Sequence, residues 1–263
     1  MTTDAPAETK QTAEAKAAAP KGRLAGKVCL ITGSSRGLGR AIAHAYAAEG
    51  AKVAICGRDR ESLMGVVKEV QSLGADCLAV KLDLADREDA VKLVDQVQRA
   101  FGRIDVLVNN AGILGPRKTI ADFPDADWNK VIETNLNSVF WVTKEALGKM
   151  IPQNSGSIIN VSSGVGRTAR AKWGAYAVSK FAVEGLTQVL ADEVKDYKVR
   201  VNSVNPGKLR TKMRAEAYPG EDPATLPSPA DATNVFVYLA SDASKGVSGD
   251  QFEAKDWMGR ADF

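Results

Sequence analysis

One histidine, His44, stands in 263 residues. That scarcity removes Ser-His-Asp hydrolysis in its usual form and any zinc site assembled from several imidazoles. Cysteine is nearly as sparse. Cys29, Cys56 and Cys77 lie 27 and 21 residues apart with no CxxC pair, an odd count that suits a reducing compartment and buried structural thiols. No run approaches the ~18 apolar residues of a membrane-spanning helix. A large charge of one sign is missing too: 35 Lys+Arg against 32 Asp+Glu leave +3, too small an excess for a polycation that tracks a nucleic-acid backbone. No carboxylate cluster asks for a metal. What remains, 44% hydrophobic and 25% charged, is the ordinary composition of a chain able to bury a full core.

Residues 1–23 differ from the rest. Ala, Thr, Lys and Glu dominate them, and Met1 is their only large apolar side chain, so they cannot bury enough surface to fold. They lack the apolar core of a secretory signal, and Asp4, Glu8 and Glu14 argue against a transit peptide. The expectation is a flexible tail on a cytoplasmic protein, with one domain over 24–263.

From Lys27 the pattern alternates. Short apolar runs at 28–31, 53–56, 78–82, 106–108, 158–161, 199–204 and 251–254 read as strands, and they are separated by helical stretches at 38–49, 61–73, 87–101, 127–150, 175–196 and 230–240. Unalternating strands between helices of ten or more residues mean a parallel sheet covered on both faces, with right-handed crossovers. The fold expected is therefore α/β: a single doubly wound, Rossmann-type domain of about seven strands. Residues 208–230 break the rhythm with four prolines around one short helix at 212–217, and read as a lid.

The first strand runs into Thr32-Gly33-Ser34-Ser35-Arg36-Gly37-Leu38-Gly39 and then a helix. Glycines there let the backbone turn tightly and approach a pyrophosphate resting on the helix N-terminus. The second strand ends Cys56-Gly57-Arg58, where a carboxylate would bind a ribose 2′-hydroxyl and a cation a 2′-phosphate. With Arg58 there, Arg36 in the loop and no acid at the strand end, NADP(H) is expected over NAD.

Tyr176 and Lys180 stand at i and i+4, neighbours on one helix face. A cation beside a phenol stabilises phenolate and suits it to proton transfer. Ser163 lies thirteen residues earlier, past the end of a predicted strand, on the side where doubly wound sheets bind ligands. Without a histidine it reads as a hydrogen-bond donor, not a nucleophile.

These motifs, with Asp83-Leu84, Asn109-Asn110-Ala111-Gly112, Asn135 and Asn205-Pro206-Gly207 followed by Thr211, occur in an order that resembles the short-chain dehydrogenase/reductase family over roughly residues 24–254. The resemblance implies the following roles. Tyr176 is the general acid that protonates a carbonyl during reduction, or the base in reverse; Lys180 holds the nicotinamide ribose and depresses the Tyr176 pKa. Ser163 binds the substrate oxygen, and Asn135 holds a water in a proton relay through Lys180. Gly33, Ser35, Arg36, Gly37, Leu38, Gly39 and Arg58 hold the phosphates, and Asp83 with Leu84 the adenine. Asn109, Ala111 and Gly112 line the coenzyme, and Pro206, Gly207, Leu209 and Thr211 wrap the nicotinamide. Purely structural duties stay open for Asn109, Asn110 and Pro206-Gly207 as strand-end and turn residues, and for Asp83 as a helix cap. The C-terminus departs from the pattern: Phe252-Glu253-Ala254-Lys255-Asp256-Trp257-Met258 stands where many relatives have Asp-Gly-Gly.

For the substrate, the pocket is expected between a roof after Thr211 and a wall at 164–174. Arg167, Arg170, Lys172, Arg210, Lys212 and Arg214 then point to an anionic or carrier-linked compound. A small-molecule ketone reduced by NADPH, of the 3-oxoacyl thioester type, is the leading expectation. An alcohol dehydrogenase on a sugar, polyol or steroid is the alternative, and a non-catalytic dinucleotide-binding regulator the alternative of another class. No nucleic acid or membrane partner is expected. The helices at 127–150 and 175–196 resemble those that pair in the family's dimers and tetramers, implying a homo-oligomer.

Overall fold

Each apolar run becomes a strand because both of its faces are covered, so no position has to be polar. A computed structural model describes residues 22–260 and 262–263. Its strands are β1 (Val28–Ile31), β2 (Lys52–Gly57), β3 (Cys77–Lys81), β4 (Val106–Asn109), β5 (Gly156–Val161), β6 (Val199–Asn205) and β7 (Gln251–Glu253). They form one seven-stranded sheet in the order β3-β2-β1-β4-β5-β6-β7, and every pairing is parallel. Strand order reverses between β1 and β4, which opens a crevice at the carboxyl ends of the strands. The single doubly wound domain expected from sequence is the fold observed.

The helices divide between the two faces. Against one lie α1 (Gly37–Ala48), α2 (Arg60–Ser72) and α8 (Asn234–Ala240), which contribute Ile42, Tyr46, Val66, Phe236 and Leu239 to a core with Ile31 and Ile55. Against the other lie α3 (Arg87–Phe101), α5 (Ser138–Gln153) and α6 (Gly174–Glu193), whose Leu93, Val97, Val142, Met150 and Leu190 pack on Leu30, Leu107 and Ile158. Two further helices, α4 (Asp125–Ile132) and α7 (Lys212–Ala217), stand at the crevice. Cys29 and Cys56 are buried in these cores, and burial pushes the Cys56 thiol up to about 12, so it stays protonated and inert.

Three expectations need correction. The predicted helix at 127–150 is interrupted by a π-turn at Glu133–Asn137 between α4 and α5. The extra residue in the ladder turns Asn135 into the interior, where it is fully buried. The predicted helix at 230–240 is a 3-10 segment, Pro229–Ala232, followed by α8. Of the predicted tail, 1–21 lie outside the described residues, but Arg23 belongs to the fold: it pairs with Glu49 at 2.5 Å and covers the Phe263 ring at 4.3 Å.

Phe263 also explains the departure at the C-terminus. Trp257 stacks on Tyr238 of α8 with centroids 4.4 Å apart, and Phe263 meets the same tyrosine edge-on at 5.7 Å. The end of the chain thus folds back on its own helix. Among the described residues no helix is long and apolar enough to cross a membrane, and no group of His, Cys, Asp and Glu could hold a metal.

Candidate active site

The loop between β1 and α1 is built by close approach. Gly33 has φ +63, and a Cβ there would lie 2.7 Å from the Ala111 Cα; one on Gly39 would lie 2.5 Å from the Asn110 amide nitrogen. Glycine is what lets the loop sit down on the end of β4. Asn110 then fastens it, donating to the carbonyls of Thr32 at 2.9 Å and Gly33 at 3.0 Å, while the Thr32 hydroxyl accepts from the amides of Asn110 and Ala111. Where α2 and α3 begin with aspartate caps, Asp59 and Asp86, α1 begins after Arg36 with no side-chain cap and no acid in its first turn. Its leading amides are left for an anion. A Cβ on Gly37 would touch Thr211 at 3.6 Å, so the loop and the start of the lid flank one groove.

At the end of β2, Ser35 lies against Gly57, and Arg36 and Arg58 are both exposed. Asp59, two residues past the strand end, is engaged in capping α2 through the Ser62 amide at 2.7 Å. Arg58 has a loose, exposed neighbour in Asp83 at 3.9 Å, a contact a phosphate would outcompete. Asp83 is not the cap of α3; that is Asp86. The Asp83 carboxylate instead accepts the Ala85 amide. The cradle, the uncapped helix and the two arginines fit a dinucleotide bearing a 2′-phosphate.

The side chains expected to react come from two segments. Ser163 follows β5, and Tyr176 and Lys180 lie one turn apart on α6. The Ser163 hydroxyl accepts from the Val165 amide at 3.4 Å and acts to lower the Tyr176 phenol. Lys180 Nζ donates to the Val161 carbonyl at 2.7 Å and stands 5.8 Å from the Tyr176 ring centroid. A Cβ on Gly112 would lie 3.4 Å from Asn135 Oδ1 and 3.9 Å from Lys180 Nζ, so the strand-end loop seats directly on these two residues. Burial pushes the Tyr176 phenol up, only partly opposed by Ser163, whereas burial lowers the Lys180 ammonium to about 8, with Glu184 acting upward. In the chain by itself burial is the larger influence on the phenol.

Other expected residues have different duties. The Asn109 side chain is buried between Thr143 and Asn160, each at 2.9 Å, so it knits β4 to β5 and α5 and offers no amide to the crevice. Leu38, Leu84 and Leu209 are buried in the two cores. The Thr211 hydroxyl caps α7 through the Arg214 amide at 3.2 Å, while Gly207 (φ +74) makes the turn after Pro206. Both amide hydrogens of Asn135 are committed, to the Ile113 carbonyl and to Ser179. Its Oδ1 also accepts the Ile113 amide at 2.8 Å, so one lone pair of that oxygen is left for a water.

A cavity of about 630 Å³ is lined by none of Ser163, Tyr176 and Lys180; Ile113, which bonds Asn135, is its link to them. Glu216, Ala217 and Pro219 of the 208–230 segment line one side of it. Its wall is not the one expected: residues 113–117 after β4 and Val131 of α4, with Lys172 the sole contribution of 164–174. Two of the six expected rim cations are neutralised. Arg167 is tied to Glu184 and Glu253, and Arg214 to Glu221 at 2.5 Å. Arg58, Arg117, Lys130 and Lys172 are the cations that line the cavity, against Asp127 and Glu216. Arg117 and Lys130 were missed in the sequence. Arg117 lies over Trp173 at 4.6 Å and Tyr218 at 5.1 Å and donates to the Ala217 carbonyl at 2.8 Å, pinning the lid across 100 residues of chain. Trp173 in turn lies 5.8 Å from the Tyr176 ring.

Comparison with known proteins agrees with this layout. The family model described as short chain dehydrogenase matches residues 27–222. The chain is 39% identical over 232 residues to the oxidoreductase YciK of Escherichia coli K12, across 87% of this chain and 92% of that one. It is also 39% identical over 236 residues to the 3-oxoacyl-(acyl-carrier-protein) reductase FabG of Thermotoga maritima, across 86% and 95%. A short chain dehydrogenase of Shigella flexneri 2a, solved in complex with NADP, superposes with a TM-score of 0.86 at 38% identity, over 90% of this chain and 100% of that one. Matched from the glycine loop through the catalytic helix into the lid, the chain belongs to the short chain dehydrogenase family.

Proposed function

We propose that this oxidoreductase is an NADPH-dependent carbonyl reductase acting on a small ketone, with 3-oxoacyl thioesters as the leading substrate class. The observation that carries the reading is the placement of Ser163 just past β5 with Tyr176 and Lys180 one turn apart on α6, Lys180 Nζ reaching the Val161 carbonyl at 2.7 Å, beside a glycine loop flanked by the exposed Arg36 and Arg58. When bound, the dinucleotide supplies the hydride. Tyr176 Oη gives its proton to the carbonyl oxygen, and Ser163 Oγ holds that oxygen as its charge develops. The Lys180 ammonium holds ribose hydroxyls and, while charged, stabilises the phenolate left when Tyr176 gives up its proton. Arg36 and Arg58 hold the 2′-phosphate, and the uncapped start of α1 receives the pyrophosphate. The NADP-bound Shigella structure supports the choice of cofactor. The FabG relative and the excess of cations around the cavity support an anionic, thioester-linked substrate.

The test is the NADPH-consuming rate with paired substrates, each ketone offered as a neutral compound and as a thioester. A thioester preference at low salt that fades with added salt supports the proposal. Equal rates on the neutral ketone reject the thioester, and Tyr176→Phe should lower either rate by about 10²–10⁴-fold.

Self-association is part of the same reading. Phe140 on α5 and Val178, Phe181 and Val189 on α6 are large apolar side chains left exposed, in keeping with a homo-oligomer paired through these helices.

A further inference from the structure

Behind the reacting face lies a second charge cluster that the proposed reaction does not use. Arg167 donates from Nε to Glu184 Oε1 at 2.9 Å and from Nη1 to Glu253 Oε1 at 2.5 Å, and its Nη2 reaches the Phe252 carbonyl at 3.3 Å. Glu184 Oε2 accepts from Ser203 Oγ at 2.6 Å and from Gln251 Nε2 at 3.0 Å. Glu253 Oε2 accepts from Asn205 Nδ2 at 2.9 Å, and Asn205 Oδ1 accepts the Gly207 amide at 3.1 Å. The cluster therefore joins the segment after Ser163, the helix α6, the strands β6 and β7, and the turn that leads into the lid.

Glu184 is one helical turn beyond Lys180 on α6, on the same face. The two side chains are 5% and 4% exposed. Around Lys180 stand Tyr176 and Glu184 from α6, the Val161 carbonyl from the end of β5, and Asn135 from the π-turn across Gly112, and Gly166 packs on its Cβ. Among the described residues Glu184 is the one charge that bears on it. An ammonium taken out of water needs such a counter-charge to remain an ammonium. Lys180 and Arg167 against Glu184 and Glu253 make a neutral set of four, and removal of any member leaves the others unbalanced.

We propose that Glu184 is a positioning residue for the reaction: it supplies the counter-charge of Lys180, while Arg167 and Glu253 hold Glu184 in place, so that the C-terminal strand β7 completes the catalytic unit. Its bearing on catalysis rests on the reductase reading of Lys180. Its physical content does not, because the charge state of Lys180 can be observed directly.

The experiment labels the full chain with ¹³Cε-lysine, identifies the Lys180 resonance by its absence in Lys180→Arg, and follows its titration into the alkaline range. Glu184→Gln, Glu253→Gln and Arg167→Gln are compared after circular dichroism shows that each is folded. The midpoint is expected to fall by about one unit in Glu184→Gln and by less in Glu253→Gln, and to rise in Arg167→Gln. An unchanged midpoint in Glu184→Gln, or shifts of one sign in all three variants, overturns the proposal, since loss of mere packing has no sign that follows the charge removed. Should Glu184→Gln not fold, Glu253→Gln decides alone, because its carboxylate sits at the more exposed end of the cluster: a downward shift supports the proposal and no shift overturns it. If the pattern of shifts holds while no carbonyl is reduced, the reductase reading fails and the electrostatic one stands.

Discussion

Asn135 and Ile113 grip each other by both ends: the Ile113 amide donates to Asn135 Oδ1 at 2.8 Å, and Asn135 Nδ2 donates back to the Ile113 carbonyl at 2.9 Å. The π-turn presents the side chain, and the strand-end loop carrying Gly112 is thereby fixed against Lys180. Asn135→Ala strands both backbone groups of Ile113 in a part-buried site. A destabilisation of about 2–4 kcal/mol is expected, read from the urea midpoint at unchanged slope. A loss below about 0.5 kcal/mol would mean the clasp is incidental.

Lys180 sets the alkaline limit. Because kcat/KM reports the free enzyme, the reduction rate should hold below pH 8 and fall above it as the ammonium, lowered to about 8 by burial, loses its proton. Stability runs the other way. A lysine depressed from 10.5 to about 8 disfavours the folded state by roughly 3 kcal/mol at all pH below 8, and that penalty fades as pH rises toward 10.5. Lys180→Met should thus abolish reduction and remove the rise of stability between pH 8 and 10.5. A variant whose stability still climbs over that window as the parent's does would contradict this.

Arg117 latches the lid. Arg117→Ala removes one hydrogen bond and the cover over Trp173 and Tyr218, which together should weaken closure by about 1–2 kcal/mol. Proteolytic nicking within 212–226 is expected to quicken by about 5–30-fold, with a raised KM. Unchanged nicking would place the restraint elsewhere, in the pair of Arg214 with Glu221.

On α6, Phe181 and Val189 are 42% and 54% exposed. Light scattering should give a mass of two or more chains, and Val189→Asp should lower it without loss of helix. A monomeric parent would remove the proposed pairing.

How much of this was legible in the sequence depended on range. The strands were readable because apolar runs such as Val28–Ile31 are buried on both faces and need no partner to be recognised. The glycine loop, Ser163 and the one-turn spacing of Tyr176 and Lys180 are local patterns and lie where expected. Pairings across the chain were not readable. Arg167 has the composition of a rim cation, yet its partners Glu184 and Glu253 lie 17 and 86 residues away. Arg117 shows nothing of its lid contact until the fold closes. The π-turn had no signal either, since one additional residue in a helical ladder leaves the apolar period nearly intact.

Direct titration of the purified chain with NADPH and with NADH, following nicotinamide fluorescence, tests the proposed preference of the groove for NADPH without any substrate. An arginine on a phosphate contributes about 1.5–3 kcal/mol. NADPH should bind at least about tenfold tighter than NADH, and Arg58→Ala should erase most of the gap. NADH binding equally well or better, or a gap untouched by Arg58→Ala, would contradict the assignment of the β2 end to a 2′-phosphate.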